Sequence, residues 1–182
     1  GEPHLPNLTN FHQRSVDIWQ SKQLTNNGYQ VRCLEERLIE KLGISHIVLV
    51  SSGSAALLIL KKILGENRPL ITTAFTFAGT VGAATWNHSP LEFVDTSKDS
   101  FLLETAKTAR AKHFNESVIV PVHAYGLPAN VYEFTALKRK HGSNIDVIYD
   151  ASHAFGTEVE GRSILNFGDA SAVSTHATKI FS

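Results

Sequence analysis

An α/β fold, a mostly parallel sheet with helices on both faces, is predicted for this chain of 182 residues by two patterns and by its composition. Short apolar runs recur without the polar alternation of a half-exposed strand, and helix-compatible segments lie between most of them. Strands that are apolar throughout are buried on both sides, as crossover helices bury the strands of a parallel sheet. The length suits one well-packed domain. Hydrophobic residues at 42% and charged residues at 19% match a folded soluble protein rather than a disordered one.

In chain order, residues 1–27 read as a polar, irregular N-terminal arm, closed by the turn signal Leu24-Thr25-Asn26-Asn27-Gly28. The domain occupies 28–182, and its first helical pattern runs from about Gln30 to Leu42. The β-branched run Ile47-Val48-Leu49-Val50 predicts a strand, followed by Ser51-Ser52-Gly53-Ser54 and an apolar helix over 55–63. Further strands are predicted at 69–72, 91–94, 118–122, 146–149 and 170–174, and helices at 76–86 and 131–141. No repeat, low-complexity tract or linker marks a second domain.

Charge and cysteine content narrow the partners. Seventeen basic and seventeen acidic residues are mixed along the chain, so no basic stripe exists for nucleic acid or an anionic membrane surface. Small molecules or proteins are the expected partners. The single cysteine, Cys33, excludes an internal disulfide, and its place among Val31, Leu34 and Leu38 reads as a buried thiol in a reducing compartment. No run approaches the roughly 20 apolar residues of a membrane span, and Gly1-Glu2-Pro3-His4 does not open a signal peptide, so a cytoplasmic location is expected. The glycosylation triplets at Asn7 and Asn115 are then chance matches.

Ligands of such folds collect at the carboxyl ends of strands. Three positions there carry chemistry. Ser52-Gly53-Ser54 opens a helix, where free N–H groups and the helix dipole suit a phosphate; an ordinary N-cap and turn would look the same. It matches neither the Walker A pattern nor the dinucleotide fingerprint. Asp150 ends a strand ahead of Ala151-Ser152-His153, and could serve as a base, a partner for a cationic ring nitrogen, a metal ligand or a cap. No metal-ligand spacing accompanies the nine histidines. Lys179 follows the last strand in Ser174-Thr175-His176-Ala177-Thr178-Lys179; alone it would be a surface lysine. Together the three supply what pyridoxal-phosphate (PLP) chemistry needs: donors for the phosphate, an anion for the pyridinium nitrogen and an amine for a Schiff base.

In these stretches the chain resembles the DegT/StrS family of PLP-dependent sugar-nucleotide aminotransferases, whose fold is that of aspartate aminotransferase. The resemblance rests on 24–28, 51–57, 71–80, 121–126, Tyr149-Asp150-Ala151-Ser152-His153-Ala154-Phe155-Gly156, and Phe167-Gly168-Asp169 leading to Lys179. It implies that Lys179 carries the cofactor and shuttles a proton, and that Asp150 keeps the pyridine nitrogen protonated. It also implies His153 near the cofactor's phenolic oxygen and Phe77 stacked on the ring. Gly53, Ser54, Ala55 and Ser174 would hold the phosphate. A lysine rather than a histidine at 179 implies transamination, not dehydration. The implied substrates are an amino-acid donor, glutamate, and a dTDP-4-keto-6-deoxyhexose in amino-sugar biosynthesis, handled by a homodimer.

Members of that family are about twice this length and continue beyond the lysine, whereas this chain ends three residues after it. The expectation is therefore a large domain truncated after the Schiff-base lysine, without the C-terminal small domain. The alternatives are a second chain that completes it and a non-catalytic PLP-binding or subunit-interaction module of the same fold. Taken alone, the 182 residues are expected to show little transfer, because half the walls of the substrate cleft would be missing.

Overall fold

The structure, a computed structural model, describes residues 5–180. Its centre is a five-stranded parallel sheet in the order β2-β1-β3-β4-β7, formed by β1 (Leu70–Thr72), β2 (Leu91–Phe93), β3 (Val118–Ile119), β4 (Asp146–Asp150) and β7 (Ala170–Ala172). Successive side chains on a strand point to opposite faces. Ile71, Ile119, Val147 and Tyr149 enter one apolar cluster, with Val131 and Phe134 of α6 (Val131–His141). Leu70, Val118, Val120 and Ile148 enter the other, with Leu57 of α3 (Gly53–Gly65) and Ala83 and Ala84 of α4 (Ala78–Trp86). Both faces are thus covered, which is why the runs are apolar without interruption.

The rest of the chain departs from expectation in identifiable places. Residues 8–21 form a helix, α1 (Leu8–Ser21), where irregular chain was expected; Asn7 caps it by accepting the Asn10 N–H at 3.1 Å. Nothing on α1 is buried, and Leu8, Phe11 and Trp19 lie open. The helix α2 (Tyr29–Leu42) ends at Gly43 in the left-handed conformation. Cys33, expected buried, is only half-buried. The run 47–50, expected as a strand, pairs with no strand among the described residues; Leu49 N–H donates instead to Glu35 Oε1, and Val48 remains 77% exposed. A strand needs a neighbour for its hydrogen bonds, and β propensity cannot supply one. After the single turn α5 (Thr105–Thr108), the remaining addition is a hairpin, β5 (Glu158–Val159) and β6 (Arg162–Ser163), in which Glu160 and Gly161 both take positive φ.

Polar groups lock the lower end of the sheet and the end of α3. Arg68 donates to the carbonyls of Leu64, Glu116, Ser117 and Asn144 and pairs with Asp146, which Lys138 also holds at 2.8 Å. Burial works to raise the Asp146 carboxyl, but the bonds from Lys138 and Arg68 outweigh it and hold the group below its ordinary value. Lys61, wholly buried, donates to the carbonyls of Gly65 and Glu66 and to Ser89 Oγ, satisfying the last turn of α3. These interactions lie at the amino ends of β3, β4 and β7 or behind α3, leaving the carboxyl ends open.

Candidate active site

The carboxyl ends of the strands and the amino end of α3 border one open cavity of about 1260 Å³. β4 delivers Asp150 to it. The strand is fixed there because Asp150 N–H donates to Pro121 O, and Asp150 O accepts from His123 N–H. Only 4% exposed, the carboxylate has both oxygens engaged: Oδ1 accepts from Ser152 N–H at 3.1 Å, and Oδ2 accepts from Thr80 Oγ1 at 2.6 Å. Past β7 the chain turns through Ser174 and His176, with His176 N–H on Ser174 Oγ and Lys179 N–H on His176 O. That turn sets half-buried Lys179 in the cavity lining, its amine without a hydrogen-bond or ion-pair partner among the described residues.

The helix α3 begins at Gly53 with Ser52 as N-cap, whose Oγ accepts the Ala55 N–H at 3.1 Å. The Gly53 and Ser54 N–H groups have no acceptor in the described chain, so they are available to an anion at the positive end of the helix. Glycine suits the close approach there. A Cβ on Gly53 would lie 3.3 Å from Ser174 Cβ and 3.4 Å from Ser152 Oγ, so the amino end of α3 lies against the Ser174 segment. Gly79 of α4 does the same for Ser54, since a Cβ there would stand 2.4 Å from Ser54 Oγ.

Aromatic groups flank the opening. The Phe77 ring is 72% exposed over the cavity, and His153 stacks on Tyr125 with centroids 5.5 Å apart. Tyr125 takes φ 52°, uncommon for a bulky residue, and its N–H donates to His153 Nδ1. Partial burial and then the charge of Lys179 push the His153 imidazole below its ordinary value, with Asp150 pulling the other way. Beneath the site, burial pushes His123 down to about 4 against the opposing charge of Asp150; the ring stacks on Tyr149 and accepts from Ala129 N–H.

Lys179, Asp150, His153, Gly53, Ser54, Phe77 and Ser174 therefore share one cavity, while Ala55 lies outside its lining with its N–H spent on the Ser52 cap. Sequence reasoning missed Thr80, Ser152, Tyr125 and Gly79. The spacing of four between Thr76 and Thr80 was the visible signal for Thr80; contacts across the fold reveal the others. No group of three or more His, Cys, Asp or Glu among the described residues could hold a metal. The donor set fits PLP: unpaired N–H groups and a hydroxyl for the phosphate, a buried carboxylate for the ring nitrogen and an unpartnered amine for the carbonyl carbon.

Known proteins share this architecture. The chain is 38% identical over its whole length to the dTDP-4-amino-4,6-dideoxy-D-glucose transaminase of Shigella dysenteriae, of which it spans 49%. It is 32% identical over 84% of its length to a UDP-N-acetyl-3-dehydro-alpha-D-glucosamine 3-aminotransferase of Acidithiobacillus ferrooxidans, spanning 41% of that protein. The crystal structure of DesI with its TDP-sugar product superposes with a TM-score of 0.90 at 31% identity, covering 98% of this chain and 45% of DesI. The chain thus spans about half the length of the relatives it matches. Residues 8–182 also match the model built for one family, and with the likeness in sequence and fold this shows that the chain belongs to the DegT/DnrJ/EryC1/StrS aminotransferase family.

Proposed function

We propose that this chain is the cofactor-holding part of a PLP-dependent enzyme that transfers an amino group from an amino acid, glutamate, to a nucleotide-linked keto-sugar, a dTDP-4-keto-6-deoxyhexose. One observation carries the reading: the unpartnered Lys179 amine, the doubly held Asp150 carboxylate and the free N–H groups of Gly53 and Ser54 line the same cavity. The sugar-nucleotide transaminases among the relatives support the substrate class.

PLP, when bound, supplies an electron sink that stabilises negative charge developing on the substrate carbon. The protein does the rest. Lys179 Nζ would hold the cofactor covalently and, as a free amine, would carry a proton between the cofactor and substrate carbons. Asp150, buried and fixed in direction, would keep a proton on the ring nitrogen. The N–H groups of Gly53 and Ser54, with the Ser54 and Ser174 hydroxyls, would anchor the phosphate at the positive end of the helix dipole. Phe77 would cover one ring face and His153 would serve the phenolic oxygen.

In this reading residues 28–182 form the cofactor domain, residues 1–27 an arm, and the enzyme works as a homodimer, in the cytoplasm. The open apolar side chains Leu8, Phe11 and Trp19 of α1 support the arm as an association element. No helix among the described residues is long and apolar enough to cross a membrane. The test is a single turnover on the whole enzyme of which this chain is the proposed cofactor-holding part: loaded with PLP and mixed with L-glutamate, it should release one equivalent of 2-oxoglutarate, and then aminate the keto-sugar nucleotide. Release from another amino acid but not from glutamate would displace the donor, and release from none would remove the transfer reading.

A further inference from the structure

Asp150 does not stand alone at the end of β4. Its Oδ2 accepts from Thr80 Oγ1 at 2.6 Å, and Thr80 Oγ1 lies 2.7 Å from Thr76 Oγ1. Thr80 is buried in the first turn of α4, 1% exposed, and Thr76 sits in the loop just before it. An ionised carboxylate only accepts, so the single Thr80 hydrogen is committed to Asp150. Between the two hydroxyls, Thr76 must then be the donor. The chain has one direction, from Thr76 to Thr80 to Asp150.

We propose that Thr80, backed by Thr76, is a positioning residue for the cofactor ring: its hydroxyl fixes the plane of the Asp150 carboxylate toward the ring nitrogen and ties that carboxylate to the loop that carries Phe77. The inference rests on the PLP reading above. Three observations lead to it. The opposite oxygen, Oδ1, is held by Ser152 N–H, so the two donors together remove rotation of the carboxylate about its terminal bond. Phe77 follows Thr76 directly, so the residue placed on the ring face and the residue placed at the ring nitrogen belong to one hydrogen-bonded unit. Thr80 is packed among buried side chains, where a valine would fill the same shape and lose only the hydroxyl. The other ionisable groups facing this point are His123 from the segment after β3, His153 from the loop after β4, and Lys179, whose charge reaches His153.

The test compares wild type with Thr80→Val, Thr80→Ser and Thr76→Val, titrating each purified protein with PLP and following the visible absorption band from pH 6 to pH 9. Thr80→Val is expected to weaken PLP binding about tenfold, the worth of one hydrogen bond to a charged group. It should also move the pH at which the band changes, a response that packing alone would not alter. Thr80→Ser, which keeps the hydroxyl, should restore both, and Thr76→Val should fall between. Should Thr80→Val fail to fold, Thr76→Val, which leaves the core untouched, carries the comparison. Wild-type affinity and an unmoved band in the valine variants would overturn the proposal, as would a serine variant as impaired as Thr80→Val. A wild-type protein that takes up no PLP would overturn the cofactor reading itself, and this proposal with it.

Discussion

Replacing Gly79 by alanine tests whether the phosphate cradle works as the packing implies. A Cβ at this position would lie 2.4 Å from Ser54 Oγ, about 1 Å inside the 3.4 Å at which ordinary contact begins, with Phe77 Cδ1 at 3.1 Å. Ser54 is exposed and the Phe77 ring has open space, so the Ser54 hydroxyl and the ring can swing away, while Ser54 Cβ at 3.2 Å needs a shift of only about a few tenths of an ångström. Rotating Ser54 off its rotamer costs about 1 kcal/mol, and exchanging glycine for alanine in a helix returns about 0.5–1 kcal/mol, so stability should change by less than about 1 kcal/mol. The Ser54 hydroxyl, however, leaves the cradle. A lost bond to a charged phosphate is worth about 1.5 kcal/mol, or about tenfold in PLP affinity. Urea unfolding would report the first quantity, and PLP titration of Gly79→Ala, Ser54→Ala and the double variant the second. Because the glycine is read as acting through Ser54, the double variant should bind no more weakly than either single one. Wild-type affinity in Gly79→Ala, or losses that add to about a hundredfold, would refute the reasoning.

Other outcomes follow from the buried ionisable groups. His123 is pushed down to about 4 from 6.5, so below pH 6.5 the unfolded chain binds a proton that the folded one refuses. Stability should therefore fall as pH drops from 6.5 toward 4, and urea unfolding of His123→Gln should lose that part of the slope. Lys61 is pushed down to about 8, first by burial and then by the charge of Arg68, against the pull of Glu66. Between pH 8 and 10.5 the unfolded chain holds the extra proton, so stability should climb with pH across that window. Lys61→Met should abolish the climb and, by leaving the Gly65 and Glu66 carbonyls without their donor, cost about 2 kcal/mol at pH 7. Thermal unfolding across pH checks both.

The sheet was legible because its cause is local. Leu70 and Ile71, Val118 and Ile119, and Val147 and Ile148 are neighbours sent to opposite clusters, so burial on both faces is written as uninterrupted apolar sequence. Helix α6 was legible to the residue, since its cap Asn130 and its Gly142 stop are adjacent in sequence. Run 47–50 was misread because β-branched composition records a preference, whereas a strand also needs a partner with unpaired backbone groups. Helix α1 was missed because its polar positions outnumber its apolar ones, although Leu8, Phe11 and Ile18 keep helical spacing. Within the site, Asp150, Lys179 and Gly53 stood out because each follows a strand or opens a helix. Thr80, Gly79 and Tyr125 act only through what the fold brings against them, the carboxylate 70 residues away in the case of Thr80.

The central claim is that Lys179 is the amine that takes the cofactor. The measurement is to incubate the protein with PLP, reduce with borohydride, digest it and locate the label by peptide mass. The account predicts a visible absorption band before reduction and a single stable adduct on the peptide containing Lys179, both absent from Lys179→Arg. An adduct spread over surface lysines, or the same band in Lys179→Arg, would contradict it.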